Sequence, residues 1–381
     1  MKKTVSFAVT VCFLSALLCG CGEKDAITVS VFSRQTEEII SGAAEKYETD
    51  TGIHINIASE NTDADIFEVS GVAGLEGIKG RCCDLSDSDA CKSLASPGFA
   101  LSDGKKVCAV PTGISCYAVA YSKKHIRYPE GITSFDDLLV TAEELDKEKQ
   151  DSGLDFVFAP MPDDPYFLCG LLSLPIYGEL SENDDYDSPL FAALNARQIA
   201  FRYSDEAKAF FDLLKGYSPG ISDTETAYSY LNSGKSAFMI ISSENAALLK
   251  NRGDIGILPV SFENDGSTAV LAGGKGFLAV NKNAPAKNIK AAKDFIDFLF
   301  RYGKPSFTDP FKEKTDDPDI IKITARNITD GDIKIIPVLS SAFPEDFCEP
   351  AGNAVKNYIS GAVGWEETVN SLKELWKTER N

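Results

Sequence analysis

Two short spacings are the first places in this 381-residue chain where covalent chemistry could arise. Ser102-Asp103-Gly104-Lys105 fits S-x-x-K and Ser243-Glu244-Asn245 fits S-x-N, two parts of a serine acyl-transfer site in which the lysine activates the serine hydroxyl. The lysine turns toward the serine only if the tetrapeptide opens a helix. Asp103-Gly104 is a turn signal instead, and no K-[ST]-G follows. The two histidines, His54 and His125, sit in an apolar run and in the basic segment SKKHIR, which supports neither a histidine triad nor a histidine metal centre. Gly234-Lys235-Ser236 imitates the end of a phosphate-binding loop, but position 229 is Ser where Gly is required and the apolar run follows the motif. LAGGKGF (271–277) reads as a glycine turn before a strand, and the acidic SENDDYD (181–187) lacks the spacing of a calcium loop. The expectation is a protein without catalytic residues, metal or cofactor.

The elements around these segments alternate. AITVSVF (26–32) reads as a strand, and Ile39, Ile40, Ala43, Ala44 and Tyr47 recur at helical spacing up to Gly52. GIHINIA (52–58) is a second strand, so the chain opens β-α-β. DIFEVS (65–70) reads as a third strand, and KVCAVPTGISCYAVAYSKK (106–124) as two apolar stretches around Pro111-Thr112-Gly113. SFDDLLVTAEEL (134–145) has a Ser cap and an acidic first turn. Residues 205–217 read as a helix, 236–242 and 254–260 as strands, 268–282 as strand, glycine turn and strand, and 288–303 as an amphipathic helix closed by Gly303. Such alternation predicts parallel sheets flanked by helices.

At the N-terminus, Lys2-Lys3 precede 17 nearly all apolar or small residues (4–20), the layout of an export signal and too short for a comfortable membrane span. Leu18-Cys19-Gly20-Cys21 resembles the lipobox of bacterial lipoproteins. That resemblance implies cleavage before Cys21, which then carries lipid through its sulfur and anchors the protein without a transmembrane helix. About 360 residues remain, enough for two domains. Their charge is −21, since Lys2 and Lys3 leave a chain whose total is −19. Such a surface repels phosphates and argues against nucleic acid and against lying on an anionic membrane. Seven cysteines remain after the signal: Cys82, Cys83, Cys91, Cys108, Cys116, Cys169 and Cys348. Buried thiols are one reading. A bridge from Cys82 or Cys83 to Cys91, or from Cys108 to Cys116, is the other.

The order of lipobox, β-α-β start, DIFEVS, KVCAVPTGISCYAVAYSKK, GITSFDDLL, SGKSAFMIISSE, DIGILPV, LAGGKGFLAVNK and AAKDFIDFLF is similar to that of the extracellular solute-binding proteins of sugar-type ABC importers, with a further match in residues 354–375. The resemblance implies an α/β fold of two lobes, each a mostly parallel sheet flanked by helices, joined by a hinge and closing on a ligand. Residues 21–112 and 265–305 would form the N-terminal lobe, and 113–264 with 306–381 the C-terminal lobe. The implied function is a monomeric, lipid-anchored importer component that captures a small solute, a saccharide foremost, and delivers it to ABC permease subunits at the outer face of the cell membrane. The alternative is a sensor or interaction protein on the same scaffold, without transported ligand.

Loops at the carboxyl ends of the strands should face the cleft: Ser33, Arg34, Gln35, Glu68 and Ser70 from one lobe, Ser242, Glu244 and Tyr166 from the other, with Gly274 and Pro111-Thr112-Gly113 near the hinge. Arg34 and Glu68 could alternatively pair with each other. The family often offers a tryptophan after SAFMII. Here the tryptophans are Trp365 and Trp376, so Tyr117, Tyr166 and Tyr228 are the candidate stacking faces, unless they are core. Only about seven residues lie between Ile57 in the second strand and Asp65, which opens DIFEVS, fewer than a parallel crossover usually needs. Either DIFEVS pairs differently or a wall of the cleft is missing.

Overall fold

The computed structural model describes residues 25–59, 63–69, 71, 75, 77–94, 99–172, 205–250, 252–258, 268–302, 333–336 and 345–377. The export signal, Cys21, Ser70 and the acidic loop 181–187 lie outside them. Strand β1 (Ala26–Ser30), helix α1 (Arg34–Thr51) and strand β2 (His54–Ala58) form the expected β-α-β unit. Ser33 caps α1 by accepting from the Thr36 amide, and Gly52, in the left-handed conformation, closes it on the Glu48 carbonyl. The helix buries Ile40, Ala43 and Tyr47, three of the five residues of its predicted stripe.

Strand β3 (Ile66–Val69) joins the other side of β1, also parallel. Its register explains the short connection. Ile66 stands beside Val29, and Val29 stands beside Ile57, so β3 starts level with the end of β2. The link has to cross two strand spacings, about 10 Å, and does not return along the length of a strand. Seven residues suffice for that.

Next come α2 (Asp89–Ser93), β4 (Leu101–Ser102) and the 16-residue β5 (Val107–Ser122). Where the sequence suggests two stretches there is one strand. β4 pairs with β5 up to Ala109, and β9, introduced below, pairs with it from Tyr117 onward. Pro111 therefore lies where, among the described residues, one edge of β5 has no strand beside it, the setting in which a sheet tolerates a residue lacking an N–H. The chain continues through α3 (Phe135–Ser152), β6 (Phe156–Phe158), β7 (Met161–Pro162), α4 (Pro165–Leu171), α5 (Asp205–Tyr217), β8 (Ile221–Ser222), α6 (Thr224–Asn232), β9 (Ser236–Ser242) and β10 (Ile255–Leu258). It ends with β11 (Thr268–Val280), α7 (Ala286–Tyr302), β12 (Ile333–Ile336), α8 (Glu345–Ile359) and α9 (Trp365–Lys377).

Among the described residues the main sheet runs β2-β1-β3-β11-β5-β9-β6, with β4 and β10 on β5 and β12 on β11. Its ends are parallel, β2-β1-β3 on one side and β9-β6 on the other. Its centre is antiparallel because β5 and β11 pair with each other from Leu271↔Tyr117 to Leu278↔Val110. The glycine turn expected at Gly273-Gly274 is thus strand interior. At one end, Ile27, Val29, Ile66, Phe295 and Ile296 form a core under α1 and α7, where Tyr47 meets Phe295 edge-on with ring centroids 5.0 Å apart. At the other, Phe158, Phe210, Phe211, Leu214, Phe238 and Trp376 fill the space among α3, α5, α8 and α9. No described helix is long and apolar enough to cross a membrane.

Helix α3 carries a reciprocal cap. Ser134 Oγ accepts from Asp137 N, and the Asp137 carboxylate accepts from Ser134 N and from both the amide and hydroxyl of Thr133. Those bonds, Thr133 foremost, hold the Asp137 carboxyl below its ordinary value. Ser134→Ala should cost about 1 kcal/mol in urea unfolding at pH 7. Because the folded value is the lower one, the stabilisation from Asp137 is present above the ordinary aspartate range and is lost as pH falls through the folded value. The difference in urea midpoint between wild type and Asp137→Ala should accordingly shrink from pH 7 to pH 3.

Candidate functional site

The carboxyl ends of β1 and β3 meet the N-terminus of α1, and Glu68 ties the three together. Its carboxylate accepts from Phe32 N at 2.8 Å, Ser33 N at 2.9 Å, Ser33 Oγ at 2.6 Å and Thr36 Oγ1 at 2.6 Å. The residue is 8 % exposed. A helix N-terminus with unsatisfied N–H groups ordinarily invites an anion, and here the chain's own carboxylate takes the amide of the capping residue, Ser33, and that of Phe32 before it. Asp65 does the same at the other end of β3, accepting from Thr28 N at 2.9 Å and from Asn288 Nδ2 at 3.0 Å. The ladder between β1 and β3 has two residue pairs, so these two side chains extend it at both ends.

The alternative pairing of Arg34 with Glu68 is not made. Arg34 Nε instead donates to Glu38 at 2.9 Å along α1, with its side chain 91 % exposed. Such an i,i+4 pair contributes about 0.3–0.5 kcal/mol, too little to fix the guanidinium. Phe32, two residues past the end of β1 and 56 % exposed, presents an aromatic face to solvent near the start of the same helix. Sequence reasoning missed Phe32 because it continues the alternation of the strand; the signal was that Ser33 caps the next helix, which ends the strand before it.

From this cluster the polar contacts reach the crossing strands. Thr36 Oγ1 lies 3.5 Å from Thr112 Oγ1 on β5, and Thr112 Oγ1 donates to the Lys275 carbonyl on β11 at 3.4 Å. Gly276, opposite Thr112, has φ +60°, and a Cβ there would sit 2.3 Å from Thr112 Oγ1 and 2.5 Å from Thr36 Oγ1. Both the backbone angle and the hydroxyls require glycine. Gly274, expected to contribute to the site, is buried opposite Ile114 within the sheet.

On the far side of the crossing, Tyr117 pairs with Ser242, the last residue of β9. Ser243 Oγ accepts from Cys116 N at 3.1 Å, fixing the turn that follows. The Tyr117 ring lies 5.3 Å from that of Phe167, and its hydroxyl reaches Gly170, so it is packed on α4 and 7 % exposed. Tyr166, on the same helix, is 51 % exposed, with Asp164 capping its amide at 2.9 Å. The structure thus brings Ser33, Glu68 and Thr112 together on one side, and Tyr117 and Ser242 on the other, with Tyr166 exposed on the helix against which Tyr117 packs. Ser242 is buried. Tyr228 joins neither group: it is 1 % exposed in a core with Phe99, Leu231 and Met239, a helix-stripe residue of α6 and no stacking face. The side chains of Gln35 and Glu244, and all of Ser70, fall outside the described residues.

The sequence profile of the bacterial extracellular solute-binding proteins matches residues 53–312. The chain belongs to that family. It is therefore an exported binding protein and not an enzyme. Its fold is similar to that of a binding protein, msme, from Bacillus subtilis subsp. subtilis str. 168 in an open conformation, with TM-score 0.69 and 15% identity over 93% of this chain and 97% of that one. It also resembles a family 1 extracellular solute-binding protein from Bifidobacterium longum subsp. infantis, with TM-score 0.66 and 16% identity over 93% and 99%. A sugar transporter from Bacillus licheniformis in complex with stachyose gives TM-score 0.58 and 17% identity over 92% and 98%. No match is found among curated protein sequences. The fold it shares with these proteins is the two-lobed binding-protein fold.

Because Glu68 satisfies two backbone and two hydroxyl donors, Glu68→Ala should lower the unfolding free energy by about 3 kcal/mol. Glu68→Gln, which keeps the shape but turns an amide donor toward N–H groups, should recover only part. Urea midpoints of the two variants check this; an unchanged midpoint in Glu68→Ala would show that the loop is held by other contacts.

Proposed function

We propose that this solute-binding protein captures a neutral saccharide of oligosaccharide size between its lobes and hands it to the permease subunits of an ABC importer, as a monomer tethered to the outer face of the cell membrane through lipidated Cys21. The reading rests foremost on one observation: a buried carboxylate, Glu68, lies beside the start of α1 and takes the amides of Phe32 and of the capping Ser33, while exposed aromatic faces stand at Phe32 and Tyr166. An anionic solute meets a carboxylate there. A sugar offers C–H faces for aromatic rings and hydroxyls for the polar groups around them. Thr112 and Tyr117 lie five residues apart on β5, about 17 Å, so the two groups of residues are separated by more than one sugar ring. The stachyose bound by the Bacillus licheniformis protein supports the same ligand class. The division into lobes at 112/113 and 264/265 is retained as part of this reading, as are the contacts proposed for Arg34 and Tyr166; Ser33 and Ser242 leave it, the first because its amide and hydroxyl are committed to Glu68 and Thr36, the second because it is buried.

A ligand that binds only the folded state raises its melting temperature. Thermal-shift measurements with tri- and tetrasaccharides, monosaccharides, oligopeptides and polyamines should show the shift with the oligosaccharides; a shift with peptides or polyamines alone would overturn the saccharide assignment. Tyr166→Ala and Phe32→Ala should each weaken the best oligosaccharide about tenfold, equivalent to about 1.4 kcal/mol, without lowering the melting temperature of the unliganded protein.

The anchor is tested separately. Cys21→Ala should abolish partitioning of the exported protein into the detergent phase, and unchanged retention would rule out Cys21 as the lipid attachment point.

A further inference from the structure

The seven cysteines described are all thiols, but four of them are set against one another in two buried pairs. Helices α4 and α8 pack antiparallel, and three contacts give their register. Lys356 Nζ bonds the Asp163 carboxylate at 2.6 and 2.8 Å just before α4. One turn earlier on α8, Gly352 lies so close to Pro165 that a Cβ would fall 1.9 Å from its carbonyl oxygen. One further turn along, in opposite directions on the two helices, the same register sets Cys348 against Cys169. Both are buried in one core.

The other pair is at the opposite end of the sheet. Cys82 bridges to Asn281 just past the end of β11, Cys83 N donates to the Val280 carbonyl, and Lys106 Nζ donates to the Cys82 carbonyl at 2.8 Å. This lays the segment beside β5, where the Cys82 and Cys108 side chains share one core, each thiol donating to a backbone carbonyl, Cys82 Sγ to Lys79 at 3.6 Å and Cys108 Sγ to Lys106 at 4.0 Å. The neighbouring Cys108 thiol, with Lys106 nearby, lowers the Cys82 thiol below its ordinary value against the opposing effect of burial. Of the pairings considered from sequence, that of Cys108 with Cys116 does not fit. Cys108 and Cys116 are eight residues apart on one extended strand, about 26 Å, far beyond disulfide reach.

We propose that in the exported protein these pairs are oxidised to two disulfides, Cys169–Cys348 and Cys82–Cys108, the first fastening the C-terminal helices to α4 and the second fastening residue 82 to the crossing strand β5. An external disulfide, low-molecular-weight or on a thiol oxidoreductase, is the oxidant. One cysteine thiolate attacks it, releasing one thiol and leaving a mixed disulfide. The partner thiolate then attacks that cysteine's sulfur and expels the second thiol, so two S–H bonds become one S–S bond and the oxidant gains two electrons and two protons. Burial of all four sulfurs requires the exchange to occur before the cores close, during folding outside the reducing cytosol.

The test is a peptide map of the full exported chain, denatured and alkylated without reduction. Two linked species are expected, one joining the peptides of Cys169 and Cys348 and one joining those of Cys82 and Cys108. Complete alkylation of all four, or links through Cys91 or Cys116, would overturn the proposal. Refolding the reduced chain with oxidised glutathione should raise the melting temperature by roughly 5–10 °C over refolding in excess reductant. That difference should shrink in Cys169→Ala/Cys348→Ala and again in Cys82→Ala/Cys108→Ala; an undiminished difference in both would assign it to other cysteines. Should a variant fail to fold, the wild-type map alone decides.

Discussion

The antiparallel pairing of β5 with β11 is the constraint on which the rest of the molecule depends. Every other strand of the main sheet reaches its place through one of these two or through a strand that pairs with them: β3, β2 and β1 hang from β11, and β9 and β6 from β5. A register slip of one residue would turn every side chain of a strand to the opposite face. Here it would also move a residue with a Cβ into the place of Gly276, against two threonine hydroxyls. The glycine therefore pins the register as well as permitting the local backbone angle.

At the N-terminal end the sheet is held by side chains where backbone pairing runs out. β3 shares two residue pairs with β1, yet Asp65 and Glu68 at its ends accept N–H groups from Thr28, Phe32 and Ser33. Charge-assisted bonds of this kind are roughly twice as strong as neutral ones, which lets a short strand be placed firmly without lengthening the sheet. The stagger that permits the seven-residue link between β2 and β3 is the same stagger that leaves β3 short of partners on β1. A compact connection and carboxylate anchoring are thus two sides of one geometry.

Much of the fold was legible in the sequence because local signals and tertiary pairing agree there. The cap at Ser134, the spacing of Ile40, Ala43 and Tyr47, and the apolar run 236–242 all correspond to observed elements. The two crossing strands were read as broken because Pro111 and the glycines at 273, 274 and 276 are local breakers. Long-range pairing overrides them, and propensity carries no record of what lies beside a strand. The site was less legible for a related reason. Ser33, Arg34 and Glu68 are correctly near one another, but sequence does not tell which donors a carboxylate satisfies. Glu68 takes backbone N–H groups and leaves Arg34 to solvent. Tyr228 fits a core stripe as well as a binding face, and only its packing distinguishes the two.

The commitment of Glu68 constrains what a ligand can gain at this end. A neutral hydroxyl offers about 1 kcal/mol per hydrogen bond, whereas the bonds already made to the carboxylate are of the stronger class, about 1.5–3 kcal/mol each. A sugar hydroxyl therefore cannot compete for the Phe32 and Ser33 amides, and an anionic group that could compete must approach a carboxylate of like charge. What stays open to a solute is the exposed face of Phe32 and the weakly held Arg34 guanidinium. An aromatic face and a fork of donors suit the two surfaces of a pyranose, apolar C–H and outward hydroxyl. Discrimination against anions would then follow from how the fold secures β3, with no residue set aside to repel them.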